Sequence, residues 1–159
     1  MCRMASFFHR PDTGDVVVSV LDHHEATRKA LNLNESLWRE GHYLPSGEIE
    51  ARVSPEDRVT EEECAARIRS RWPGFVEFFN WATTAGGATV PRALPLNGLK
   101  SAAGLVVGPN VRWLYLNSLK SAAGLVVGPN VQTLSLDGLK SAAGLVVGPN
   151  VQTLYLNSL

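Results

Sequence analysis

Lys100-Ser101-Ala102-Ala103-Gly104-Leu105-Val106-Val107-Gly108-Pro109-Asn110-Val111 is written three times without change, returning at Lys120–Val131 and Lys140–Val151. A fixed period of 20 residues marks stacked supersecondary units that touch mainly their neighbours and together present one long surface. Binding or scaffolding is therefore expected before catalysis. With the period started at Val111, units run over 91–110, 111–130 and 131–150, and 151–159 begin a fourth. Leu114 and Leu116 alternate with Trp113 and Tyr115, which is strand periodicity. Gly124, Gly128 and Pro129 punctuate the return path, where Leu125-Val126-Val127 is expected as a second short extended or 3₁₀ segment. Unit positions one, four, six, nine, fifteen and seventeen are aliphatic in every full unit from 111 on. One unit alone buries too little to offset the entropy of ordering it, so the units must fold cooperatively.

The chain of 159 residues is 45% hydrophobic and 19% charged, which excludes wholesale disorder. Its two cysteines, Cys2 and Cys64, make no disulfide framework and no CxxC pair. No apolar run approaches a membrane span, and Met1-Cys2-Arg3-Met4 lacks the apolar stretch and cleavage site of a signal peptide. A cytoplasmic or phage virion-associated protein is expected, with no membrane partner. Net charge is zero but uneven. Residues 1–90 carry 10 Lys/Arg and 14 Asp/Glu, net −4; residues 91–159 carry 5 Lys/Arg and the single acid Asp137, net +4. Salt-sensitive head-to-tail attraction between molecules follows as an expectation.

Upstream of the repeats the pattern changes to an α+β domain, expected over 1–84, with 85–90 as linker. Met4–His9 reads as a strand, Arg10–Gly14 as a turn, and Asp15–Leu21 as a β-branched returning strand. His23–Leu31 has helix composition with Ala26, Ala30 and Leu31 near one face. Asn34–Glu40 reads as a helical turn and Glu48–Val53 as an alternating strand. Thr60-Glu61-Glu62-Glu63 is a capping box, so a helix is expected from there to about Trp72, with Cys64 and Ile68 inward. After Pro73-Gly74 a second helix, Phe75–Thr83, carries Phe75, Phe78, Phe79 and Trp81 as core candidates.

The unit resembles the leucine-rich repeat in its short 20-residue form, through Val111, Leu114 and Leu116 and again through Val131, Leu134 and Leu136. The resemblance implies a short β-solenoid of leucine-rich-repeat type over 91–159; a straighter β-solenoid is the alternative. The sequence departs from that family at the ninth position, where Leu119 and Leu139 replace Asn, so the family's Asn ladder is not expected. More broadly, the chain resembles a set of gut-bacterial and phage-borne repeat proteins. That resemblance rests on Met1–Phe8, Trp38–Glu50 and Phe75–Trp81 in the head and on units of Leu-Tyr-Leu-x-x-Leu-x-Ser-Ala-x-Gly-Leu-Val type in the tail. It implies a prokaryotic or phage origin and a two-part layout, and brings no activity with it.

Units 111–130 and 131–150 agree at 15 of 20 positions. The differences, Arg112/Gln132, Trp113/Thr133, Tyr115/Ser135, Asn117/Asp137 and Ser118/Gly138, all fall in or beside the strand. Positions 113, 115 and 117 have parity opposite to the leucines and so face outward. Tolerated drift at exposed positions accounts for this pattern; so does a recognition face on a fixed scaffold, and the aromatics favour the second. The expected partner-binding residues are Arg112, Trp113, Tyr115, Asn117, Thr133, Ser135, Asp137, Thr153 and Tyr155, and the expected partner is a protein. Lys100, Lys120 and Lys140 recur in one column, a candidate anion site whose ordinary reading is a solvated row; nucleic acid is not expected. The written sequence stops at Leu159, nine residues into a unit, so self-association through an uncapped end, giving a self-assembling structural protein, is the rival function.

Catalytic patterns are sparse. Asp22-His23-His24 after an apolar strand resembles the metal-binding triplet of DHH phosphoesterases, which makes a small metal-dependent hydrolase the second rival. That family needs earlier Asp motifs that this chain lacks, and a helix N-terminus explains the triplet equally. Cys64 falls mid-helix on the core face, without an assignable base. There is no Gly-rich phosphate loop, GxSxG or HExxH. The reading is a non-enzymatic protein with no cofactor and no metal.

Overall fold

The protein is described by a computed structural model covering residues 5–18 and 24–159. It divides into two compact units at Thr89/Val90. Among the described residues no helix is long and apolar enough to cross a membrane.

The first unit holds four antiparallel strands in the order β2-β1-β3-β4: β1 Ser6–His9, β2 Val16–Val17, β3 Arg39–Tyr43 and β4 Ile49–Ala51. Among the described residues three α-helices accompany them, α1 His24–Leu31, α2 Glu61–Arg71 and α3 Phe75–Thr83, with a 3₁₀ turn at Pro55–Asp57. The cap expected at Thr60 is present, its hydroxyl accepting the Glu63 N–H at 3.1 Å, and Pro73-Gly74 separates α2 from α3. Phe7, Phe8, Tyr43, Phe78 and Phe79 are almost wholly buried. Phe78 lies at their centre, stacked on Tyr43 at 5.1 Å and edge-on to Phe7 at 5.6 Å and Trp72 at 5.2 Å. Such pairs add to the burial of large apolar area. Tyr43 keeps its buried hydroxyl satisfied by donating to Trp72 O at 2.8 Å.

Three expectations need correction here. Arg39 and Glu40 do not close a helical turn; they open β3, and the turn stops at Asn34–Leu37, held by Leu37 and Trp38 N–H groups on Asn34 O at 3.0 Å each. Ala26, Ala30 and Leu31 are exposed, and α1 docks through His24 and Thr27 instead. The stretch expected as linker begins as part of the head: Gly86 and Ala88 N–H groups donate to Trp81 O and Ala82 O at 2.8 and 2.7 Å. Residue 4 of the first expected strand, residues 19–21 at the end of the second and residue 23 at the start of the expected helix lie outside the described residues.

Arg39 at the start of β3 forks onto Asp57, Nε to Oδ2 at 2.9 Å and Nη2 to Oδ1 at 3.0 Å. Asp57 Oδ2 also accepts the Ser54 N–H at 2.6 Å. Both side chains are largely covered, at 11% and 12% exposure. The Arg39 hydrogen bonds hold the Asp57 carboxyl below its ordinary 3.8. A depressed folded value contributes stability above the unfolded value, and that stability is lost as pH falls through the folded one. Asp57→Asn is therefore expected to cost about 2 kcal/mol near neutral pH, the scale of a hydrogen bond to a charged group. It should cost clearly less well below pH 3.8. Paired thermal melts at the two pH values check this; an equal loss at both contradicts it.

The second unit is a parallel sheet in the order β5-β6-β7-β8: β5 Ala93–Pro95, β6 Trp113–Tyr115, β7 Thr133–Ser135 and β8 Thr153–Tyr155. Its register is the sequence period, Leu94 against Leu114 against Leu134 against Leu154. Leu94, Leu96, Val111, Leu114, Leu116, Leu119, Val131, Leu134, Leu136 and Leu139 have no measurable exposure. Unit positions one, four, six and nine thus form the core as expected. Position twelve adds to it, through Ala102 and Ala122, each 1% exposed. On the return path Leu125-Val126-Val127, expected as a short extended or 3₁₀ segment, forms neither a strand nor a 3₁₀ turn. Position fifteen is in the core as expected, Leu105 and Leu125 being 3% and 6% exposed, while Val106, Val126 and Val146 at position sixteen project outward at 55%, 68% and 71% exposure.

The expected architecture, an α+β head followed by a β-solenoid of leucine-rich-repeat type, is corrected by these observations. The described chain is α/β, with two four-stranded sheets, one antiparallel and one parallel. Each repeat contributes a single three-residue strand. The rest of the unit is turns around left-handed glycines such as Gly124 at φ 74, where a side chain would also press on Ala103 Cα at 2.9 Å. No second sheet forms on the return side among the described residues.

Candidate functional site

The strand parity that buries the leucines turns two columns to the other face of the parallel sheet: Ala93–Trp113–Thr133–Thr153 and Pro95–Tyr115–Ser135–Tyr155. Trp113 is 37% and Tyr155 45% exposed. Thr153 is open, while Arg112, Tyr115 and Thr133 are half-buried. Parallel neighbours lie about 4.8 Å apart, so these side chains form one continuous patch. Arg92 and Arg112 precede the first two of these strands, and the exposed Lys100, Lys120 and Lys140 follow at unit position ten.

Three of the expected contact residues have a different geometry. Ser135 is only 4% exposed, because Tyr115 and Tyr155 flank it in the same column. Its hydroxyl donates to Asn117 Oδ1 at 2.6 Å. Asn117 Oδ1 also accepts the Asp137 N–H at 2.9 Å, while Asn97 Oδ1 accepts the Asn117 N–H at 2.9 Å and Asp137 Oδ1 the Asn157 N–H at 3.1 Å. The side chains of Asn97, Asn117 and Asp137 thus form a ladder at unit position seven that ends on the Asn157 N–H. The Asn ladder not expected at position nine is present two residues earlier. A second amide column supports the opposite side, Asn130 and Asn150 Nδ2 donating to Pro109 O and Pro129 O at 2.8 and 2.7 Å. These side chains pair with turn backbone of the neighbouring repeat. Asn117, Ser135 and Asp137 therefore hold the face in shape, and Arg112, Trp113, Tyr115, Thr133, Thr153 and Tyr155 are its exposed or half-buried side chains.

The head contains titratable side chains whose surroundings restrain their chemistry. Asp22 and His23 of the triplet lie outside the described residues. His24 is 5% exposed, and its Nε2–H is shared between Phe7 O at 3.0 Å and Gly41 O at 3.1 Å. It bridges β1 and β3 as a structural side chain. Among the described residues no group of three or more His, Cys, Asp or Glu side chains is placed to hold a metal ion. Cys64 is 2% exposed, and burial pushes its thiol upward, opposite to the shift that makes a reactive thiolate. His9 shares a cavity of about 10 Å³ with Cys64, room for no more than about one water. Its Nε2 bonds Arg52 O at 2.8 Å, and burial lowers its pKa. An open groove of about 360 Å³ between β4 and the start of α2 is lined chiefly by Glu48, Glu50, Glu61 and Glu62, with Arg52.

Comparison with family models, with curated proteins and with solved structures finds no match to this protein.

Proposed function

We propose that the protein is a non-catalytic protein-interaction module that binds an acidic protein partner on the outward face of the parallel sheet. The supporting observation is the exposure of Trp113 and Tyr155 on a face whose reverse side is buried leucine core from β5 to β7, with Leu154 of β8 37% exposed. Tryptophan, tyrosine and arginine are the residues most enriched where truncation costs binding energy. The four excess positive charges of residues 91–159 favour an acidic partner and faster encounter at low salt. The resemblance to gut-bacterial and phage-borne repeat proteins supports a bacterial or phage setting.

Trp113→Ala combined with Tyr115→Ala is expected to weaken partner binding at least about tenfold and to leave the melting temperature nearly unchanged. The check is immobilised full-length protein and double variant, each incubated with bacterial lysate at low and high salt, with captured proteins identified and then titrated as purified species. An acidic protein retained by the parent and lost from the folded variant supports the reading. Equal retention by both sinks the assignment of this face.

A further inference from the structure

We propose that Asn97-Gly98 is a spontaneous modification site of the repeat sheet, and that Ser118 restrains the cyclisation of Asn97. Asn97 is the single asparagine of the sequence followed by glycine, and it is exposed. Glycine leaves its own nitrogen unhindered and its backbone free to turn, and Gly98 already holds φ at 103. In the cyclisation Gly98 N bonds to Asn97 Cγ and loses its proton. The Asn97 Cγ–Nδ2 bond breaks and ammonia leaves. Water then adds to either carbonyl of the resulting succinimide, giving aspartate or isoaspartate. The sum is water consumed and ammonia released, with no oxidant or cofactor.

Two hydrogen bonds oppose the step. The attacking nitrogen donates its proton to Ser118 Oγ at 2.7 Å, which holds its lone pair away from Cγ. Asn97 Oδ1 accepts the Asn117 N–H at 2.9 Å, which holds the side chain in the ladder. Ser118 comes from the neighbouring repeat, so the guard exists only when the two strands are paired. The aspartate product fits the ladder, as Asp137 demonstrates at the same unit position: Asp137 Oδ1 accepts the Asn157 N–H and its own N–H donates to Asn117. Conversion therefore adds a negative charge without removing an acceptor, lowering the net charge of residues 91–159 from +4 to +3. Isoaspartate lengthens the backbone at this turn and displaces it.

The test is peptide mapping by mass spectrometry of the full-length protein held at mildly alkaline pH, for the parent, Ser118→Ala and Ser118→Thr. Conversion is expected at Asn97 ahead of Asn117 and Asn157, both followed by serine. Ser118→Ala should accelerate it about fivefold, the factor one ordinary hydrogen bond is worth, and Ser118→Thr should restore the parent rate. If Ser118→Ala only loosened the sheet, Asn117 and Asn157 would accelerate in step with Asn97. That result, or an Asn97 rate unchanged by Ser118→Ala, overturns the proposal.

Discussion

Asn117→Ala is expected to destabilise the repeat unit by about 2–4 kcal/mol, the range for orphaning two donors in covered positions. The Asn117 amide oxygen accepts two protons at once, from the Ser135 hydroxyl and the Asp137 N–H. Ser135 is 4% exposed, so its hydroxyl has no ready access to water once that acceptor is gone. The comparison that isolates the acceptor is Asp137→Asn. It swaps one acceptor for another at the next ladder position and should stay within about 0.5 kcal/mol of the parent. Denaturant melts of both variants decide the matter. Similar small losses would show that the ladder is incidental to stability. Because the repeats fold cooperatively, the loss should appear as one earlier transition and not as a separate melting of β8.

Gly41→Ala is expected to cost the head about 3 kcal/mol, at the upper end of ordinary overpacking. Gly41 sits opposite Phe7 in the β1–β3 ladder, and the Phe7 ring covers the space above it. A Cβ there would overlap the ring and come within 2.9 Å of Glu50 O. The ring has nowhere to go, since Phe7 is 1% exposed and packed edge-on against Phe78. Aromatic cover of a strand glycine is a known way to pin register, and here it fixes β3 between β1 and β4. Gly47→Ala provides the contrast. Gly47 has φ 96 and nothing within 4 Å of a new Cβ, so only left-handed strain of about 1–2 kcal/mol applies. At about 4–8 °C of Tm per kcal/mol the two variants should separate clearly; equal shifts would mean that Phe7 yields to the new methyl group.

What the sequence revealed depended on whether the relevant spacing was local. The 20-residue period and the alternation around Leu114 and Leu116 located all the parallel strands and most of their core. Thr60 announced α2 through a contact three residues away. Strand β3 was not legible, because Arg39-Glu40-Gly41-His42-Tyr43 shows little apolar alternation; its place comes from pairing with β1 and β4 and from the Phe7 ring over Gly41. Helix α1 was found, but its inward face was misread, since His24 and Thr27 dock it and the alanines do not.

The repeat architecture was misread for a related reason. Leu125-Val126-Val127 suggested a second short extended or 3₁₀ segment, yet that stretch, set among glycines and prolines, forms neither, with Leu125 6% and Val126 68% exposed. The site was half legible. Parity gave the outward columns, but parity is blind to neighbours one unit away, and Ser135 is buried with its hydroxyl on Asn117 of the preceding unit. The recurrence of Asn97, Asn117, Asp137 and Asn157 at the same unit position was the available sign of the ladder. The side chains of Asn97, Asn117 and Asp137 each accept the N–H of the same position in the next repeat.

In the proposed function the outward face of the parallel sheet meets a protein partner. A photoreactive side chain at Thr133, between Trp113 and Thr153 in the outward column, tests it most directly, with the same group at the exposed Val126 of the return path as reference. Irradiation in bacterial lysate is predicted to yield a discrete cross-linked acidic protein from position 133, lost in the Trp113→Ala/Tyr115→Ala background, and none from position 126. Cross-linking from position 126 alone, or an adduct at 133 that survives the double substitution, would contradict the account.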